Sequence, residues 1–243
     1  MKKHINYKRI QLGDIAKVYT YNSYNILMQK QRNFEQRNKL FIDKTITPQL
    51  SCCYNVKILN KKPSYVLISN LIDILYISFF LNSIIGKLCL IDKNTKGLKG
   101  YTNISRIKST NIIIYEKAIP ACSFLEYLLN YLELINIKQK CDKLETVEYF
   151  FSKIRDYIVM EFIAPDIFEL ENISIIDLCI KEYNKLDQMS DIKKTINSLL
   201  ESLMKPGNIL MANINKMRII KDDTLITFNK EYNVVTYEQN ANH

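Results

Sequence analysis

The 243-residue chain carries 34 Lys+Arg against 25 Asp+Glu, a net charge of +9, with 47% apolar and 24% charged residues. That composition belongs to a globular chain and excludes a disordered one. Five glycines and two histidines, His4 and His243, leave almost no material for a glycine-rich phosphate loop or for histidine-based metal or triad chemistry.

Taken in chain order, Ile10, Leu12, Ile15 and Val18 predict a short turn of helix or a strand around the Gly13-Asp14 break. Cys52 to Leu59 reads as a strand closed by Asn60-Lys61-Lys62-Pro63. A long apolar helix is expected from about Val66 to Leu90, with Ile74, Ile77, Leu81, Ile84, Ile85 and Leu88 three or four apart. Its longest charge-free run, 74–86, is too short to span a bilayer, so no membrane segment is expected. Asp92 to Gly100 reads as a loop and Ile112 to Tyr115 as a strand ending near Pro120. Helices are expected over 123–140, 145–163, 173–187 and 190–204, the last capped by Ser190, with breaks at Pro165 and Pro206-Gly207. The tail returns to strand chemistry at 208–213 and 224–228.

Cys52, Cys53, Cys89, Cys122, Cys141 and Cys179 form no C-x-x-C pair, and most sit in apolar runs. Met1-Lys2-Lys3-His4-Ile5-Asn6 leads into no apolar signal core. Reduced, buried cysteines in a cytoplasmic chain are therefore expected over a redox or metal role.

Charge is uneven. Residues 1–135 hold the whole positive excess, and the remainder is slightly acidic. Surface charge can fluctuate this way by accident; the sharper reading is that the first part meets a polyanion. The cations come in bursts mixed with amides and hydroxyls: Gln29-Lys30-Gln31-Arg32-Asn33, then Arg37 and Lys39; and Lys99-Gly100-Tyr101-Thr102-Asn103, then Arg106 and Lys108. Cations hold phosphates while amides and hydroxyls reach base edges. The helix at 145–163 has an apolar face (Val147, Phe150 or Phe151, Ile154, Tyr157 or Ile158, and Phe162) opposed by Glu148, Lys153, Arg155 and Asp156. Such a face packs on its own domain or docks a partner's helix.

Four segments together resemble the target-recognition domains of type I restriction–modification specificity subunits. These are Ile10-Gln11-Leu12-Gly13-Asp14-Ile15-Ala16; the aromatic-rich Asp73-Ile74-Leu75-Tyr76-Ile77-Ser78-Phe79-Phe80-Leu81-Asn82-Ser83 with Gly86 beyond; Lys99-Gly100-Tyr101-Thr102-Asn103-Ile104-Ser105; and Ile112 to Pro120. They occur in that family's order and cover about residues 9–135. The chain departs from the pattern after Pro120, where Ala121-Cys122-Ser123-Phe124 replaces further Pro and Gln. A Gly-Asp-Ile-Leu strand is also missing from the first half, although Lys205-Pro206-Gly207-Asn208-Ile209-Leu210-Met211 resembles it late. Asn-Ile-Leu-Met recurs at 25–28 and 208–211, and Tyr-Asn-Val at 54–56 and 232–234, the pattern of an internal repeat.

The resemblance implies a mixed α+β fold: a small mixed-sheet recognition domain with a long buried helix (1–135), a helical connector (136–164), and helices with a β-rich tail (165–243) that begin a second recognition domain. It implies no catalysis and no cofactor of the chain's own, in keeping with the absence of an Asn-Pro-Pro-Tyr-type motif. It implies reading of double-stranded DNA, with Gln29, Lys30, Arg32, Arg37, Lys39, Lys99, Tyr101, Thr102, Asn103 and Arg106 as contacts. It further implies docking of the methyltransferase subunit, indirectly of the restriction subunit, through Phe151, Ile154 and Ile158, and self-association as a half-subunit. The competing reading is a non-catalytic helical adaptor whose basic surface meets an acidic protein. An enzyme using Cys or Tyr has no supporting constellation.

Overall fold

The computed structural model describes residues 7–30, 38–46, 52–54, 62–91, 100–139, 142–186 and 192–217. The first part alternates short strands and helices: β1 (Lys8–Gln11), α1 (Leu12–Ile15), β2 (Lys17–Thr20), α2 (Tyr21–Lys30), β3 (Lys39–Ile42), β4 (Thr45–Ile46), β5 (Cys52–Cys53) and β6 (Tyr65–Ile68). There follow α3 (Ile74–Asn82), α4 (Ile84–Leu90), β7 (Gly100–Tyr101), α5 (Ile104–Ser109) and β8 (Asn111–Ile114). After a 3-10 turn at Glu116–Ala118 the chain is helical: α6 (Ile119–Gln139), α7 (Asp142–Ile163), α8 (Pro165–Leu170), α9 (Ile176–Asn184), α10 (Ile192–Met204) and α11 (209–217). The fold is mixed α+β, as expected. Among the described residues no helix is long and apolar enough to cross a membrane.

The main sheet has the order β2-β6-β3-β5, antiparallel throughout, with β1–β8 and β4–β7 as separate two-stranded ribbons. Alternation along these strands divides the side chains between two faces. Val18, Leu40, Ile42, Cys52 and Leu67 face the main core with α3, whereas Phe41, Cys53 and Val66 join Tyr24 of α2 in a smaller cluster behind the sheet. Tyr76 ties α3 to β8, its hydroxyl donating to Ile113 O at 2.8 Å and accepting from Tyr115 N at 3.3 Å.

The long helix expected over 66–90 is three elements. Residues 65–68 are a strand, because Tyr65, Val66 and Ile68 are β-favouring and pair with β2 and β3. Asp73 then starts α3 by accepting from Leu75 N. Ser83 breaks the helix: its backbone is extended, its hydroxyl donates to Phe80 O at 2.7 Å, and it accepts from Gly86 N at 3.0 Å to cap α4. Periodicity ran through both caps unbroken, which is why the apolar spacing alone read as one helix.

A second correction concerns 208–213, expected as a strand. Gly207 takes a left-handed φ of 78°, and Asn208 then caps a helix through its side-chain oxygen and Met211 N at 3.0 Å. Leu210, Ile214 and Met217 of α11 enter the same main core as Leu12 and Phe79. The described part of the tail is thus helical, not the opening strand of a second recognition domain. The expected boundary after residue 135 falls inside α6, and one core takes residues from both sides of it. The strand at 224–228, the Ser190 cap and the Tyr-Asn-Val copy at 232–234 lie outside the described residues.

Candidate nucleic-acid interface

Register puts Lys17, Ile68 and Lys39 in one row across β2, β6 and β3, and Tyr19, Val66, Phe41 and Cys53 in the next row on the same face. This face lies behind the sheet, next to α2. Lys39 Nζ stands 5.8 Å from the Tyr24 ring centre and 5.7 Å from that of Phe41, and donates to the Tyr24 hydroxyl at 3.4 Å. The Lys62 ammonium lies 5.5 Å over the Tyr21 ring. Aromatic faces favour cations here and hold them in place without neutralising them. Among the described residues in 15–42 and 62–72 there is no Asp or Glu. Beyond the strand ends, Asn38 Nδ2 donates to Asn70 Oδ1 at 3.5 Å.

Of the expected DNA contacts, Lys39 belongs to this surface. Gln29 and Lys30 end the helix that lies over it. Arg32, Arg37 and Lys99 lie outside the described residues. The second burst is elsewhere. Tyr101 pairs with Thr45 in the β4–β7 ribbon. Thr102 is buried: its N–H donates to Lys44 O at 2.9 Å and its carbonyl accepts from Tyr65 OH at 3.2 Å. Asn103 spends its side-chain oxygen on Arg106 N at 2.8 Å, capping α5, and Arg106 has its Nε buried. Ile104 and Ile107 of the same helix pack on the main core, so the sheet stands between them and Lys39. Thr102 and Asn103 are therefore structural residues. A helix cap and a base reader use the same residue types, so the sequence could not separate them. Lys17, Lys62, Asn38 and Asn70 were missed; the period-two alternation of β2 could have found Lys17, whereas the other three lie just outside the strands, where no sequence period marks them.

Phe151, Ile154 and Ile158, expected at a partner interface, are buried at 2%, 3% and 1% exposure. They line a cavity closed by α6, α9, α10 and α11, including Leu125, Leu128, Leu199 and Leu203. The chain covers this stripe itself, which removes it as a free docking face.

The Leu81-Asn82-Ser83 segment has a different use. Asn82 Nδ2 donates to Glu126 Oε1 (2.7 Å) and Cys52 O (2.8 Å), while its Oδ1 accepts from Cys52 N (3.1 Å). Ser78 Oγ donates to the same Glu126 oxygen at 2.6 Å, and Arg155 Nη1 meets Glu126 Oε2 at 3.2 Å. One buried carboxylate thus joins α3, α6, α7 and β5. Nearby, burial and then the Arg155 charge lower the Lys87 ammonium to about 8. Burial raises the thiols of Cys52 and Cys122 well above their ordinary range and that of Cys89 to about 11, which makes all three poor nucleophiles at neutral pH. Among the described residues no group of three His, Cys, Asp or Glu could hold a metal ion.

Glu161 is the second buried carboxylate, and its Oε2 accepts from Ile175 N (2.8 Å) and Ile176 N (2.9 Å) at the start of α9. Burial, helped by Asp177, raises its pKa from 4.5 to about 7 against the opposing pull of those N–H groups. The folded chain therefore holds this proton where an unfolded chain has released it. Glu161's contribution to stability is complete below about pH 4.5 and is lost as pH rises through about 7. Urea denaturation is expected to show about 2–3 kcal/mol less stability at pH 8 than at pH 5 from this group. Glu161→Gln, which keeps the acceptor oxygen, should remove that difference; a variant with the same pH dependence as the native chain would refute it.

No protein family, curated protein or solved structure matches this chain.

Proposed function

We propose that this chain is a sequence-specific DNA-binding specificity subunit, or half-subunit, of a type I restriction–modification system. In this reading residues 7–118 hold one part of a split duplex target, and the helices from α6 onward dock the methyltransferase subunit in the cytoplasm.

The supporting observation is that the segments carrying the resemblance pack into one closed unit. β1 pairs with β8 from Lys8 opposite Ile114 to Gln11 opposite Asn111. Leu12 N donates to Thr110 O at 2.9 Å, and α1 lies so close to α5 that a Cβ on Gly13 would stand 3.1 Å from Lys108 O. The glycine of the Leu-Gly-Asp-Ile motif thus sits where the backbones approach closely and a side chain would be crowded. Tyr76 of the aromatic helix then bonds to β8. Segments far apart in sequence support each other's conformation, and the unit they form carries the chain's positive excess. With the α7 stripe covered, the exposed apolar side chains among the described residues of these helices, Tyr127, Tyr149, Leu170 and Ile209, are candidates for contact with the protein partner.

Selection from a pool of randomised duplexes tests this reading, using the full chain alone and co-expressed with a type I methyltransferase subunit. A defined half-site is expected to be enriched. Retention of duplexes without sequence preference in both preparations would overturn the reading, and no retention at all would favour the basic-surfaced adaptor.

A further inference from the structure

The connection from β6 to α3 is held at both ends yet presents an apolar side chain to water. Ser69 is buried, its Oγ donating to Ile15 O at 2.9 Å and accepting from Ile72 N at 3.3 Å. Ser69 N also donates to Asn38 O, and Asp73 caps α3. Between these anchors stand Asn70 and Leu71, and Leu71 is 71% exposed. A single exposed leucine carries no meaning by itself; Leu71 gains one from the exposed amide and cation beside it, Asn70 and Lys17. It lines a cleft of ≈ 330 Å³ together with Asp14 of α1, Lys17, Tyr19 and Asn70.

We propose that the Asn70–Leu71 tip reads an A·T base pair in the major groove of duplex DNA, with Lys17 and Lys39 holding the flanking phosphates. The inference rests on the DNA-binding reading above and names the element that does the reading. An asparagine amide matches adenine N6 and N7, and an apolar side chain packs on the thymine methyl group. Asn70 and Leu71 offer both in adjacent positions, and the Asn38 amide orients Asn70 by donating to its oxygen. Lys17 and Lys39 flank Ile68 in the register row that leads to the tip. Two strand spacings put them about 10 Å apart. Rings hold Lys39 in place, and Lys17 is exposed.

The test applies the same duplex selection, followed by binding titrations on the enriched site, to the full chain. Asn70→Ala and Leu71→Ala are expected to relax one A·T position, lowering discrimination there about tenfold, with binding to other sequences unchanged. Lys17→Ala is expected to weaken binding to all sequences and to reduce the slope of log K against log salt by about 0.9, and Lys17→Ala with Lys39→Gln by about 1.8. A packing role for Lys39 would not move that slope, and the fully exposed Lys17 variant stands without it. If the native chain selects a site and both tip variants keep its full pattern, or the site has no A·T requirement, the tip assignment is overturned while the DNA-binding reading stands. If the native chain shows no sequence preference either alone or with the methyltransferase subunit, both fall together.

Discussion

Replacing Glu126 by alanine is expected to cost about 3–5 kcal/mol in urea denaturation. Glu126 is fully buried, and its carboxylate accepts from Ser78, Asn82, Asn130 and Arg155. The variant leaves the Arg155 guanidinium, itself 5% exposed and with Nε already without a partner, as an uncompensated charge in the core. It also removes the acceptor of the buried Ser78 hydroxyl and one of the acceptors of Asn82 Nδ2, a further penalty. Removing both charges is a different experiment. Glu126→Leu with Arg155→Met replaces the pair by apolar volume and should cost clearly less than Glu126→Ala alone. A loss below about 1 kcal/mol for Glu126→Ala would mean that the pair is not closed in solution.

Gly86→Ala is the second change with a large expected effect. An added Cβ would stand 2.0 Å from Phe80 O and 2.7 Å from Leu81 Cα, both backbone atoms of the preceding helix. Neither can rotate away as a side chain would, so α3 and α4 must separate at the Ser83 bend. About 3 kcal/mol or more is expected, read as a melting temperature lower by roughly 6–12 °C. Gly207→Ala provides the contrast. Nothing lies within 4 Å of its added Cβ, and the left-handed φ of 78° alone sets a cost of about 1 kcal/mol. Equal effects at the two glycines would show that steric approach at Gly86 is not what the structure implies.

The helical half was legible because its apolar periodicity is long: the helices expected over 123–140 and 145–163 match α6 and α7 closely. β8 was legible too, as a β-branched run between polar residues. Three features were not. Caps at Asp73 and Ser83 interrupt an apolar spacing that continues on both sides of them. At 208–213 only Ile209 favours a strand, whereas Leu210, Met211 and Ala212 are good helix formers, and the Asn208 cap with the core contacts of Leu210 and Ile214 completes the helix. For the candidate interface, residue type misled. Asn103 and Thr102 look like base readers in sequence, but the backbone uses them first, whereas Lys17 gains its position from strand register and Asn70 from the Asn38 amide, both long-range properties. The apolar face of α7 was read correctly as a face; what covers it depended on helices that arrive later in the chain.

The pairing of β1 with β8 has a consequence for how the molecule assembles. Lys8 and Ile114 are partners across about a hundred intervening residues, so their ribbon closes a very long loop before it gains a single hydrogen bond. Elements inside that loop, such as the β3–β6 pair and the α3–α4 bend, have nearer partners and reach their places sooner. Attachment of residues 8–11 is then a late event on the folding path, and amide exchange along Arg9 and Ile10 should report its reversal before the interior of the sheet gives way.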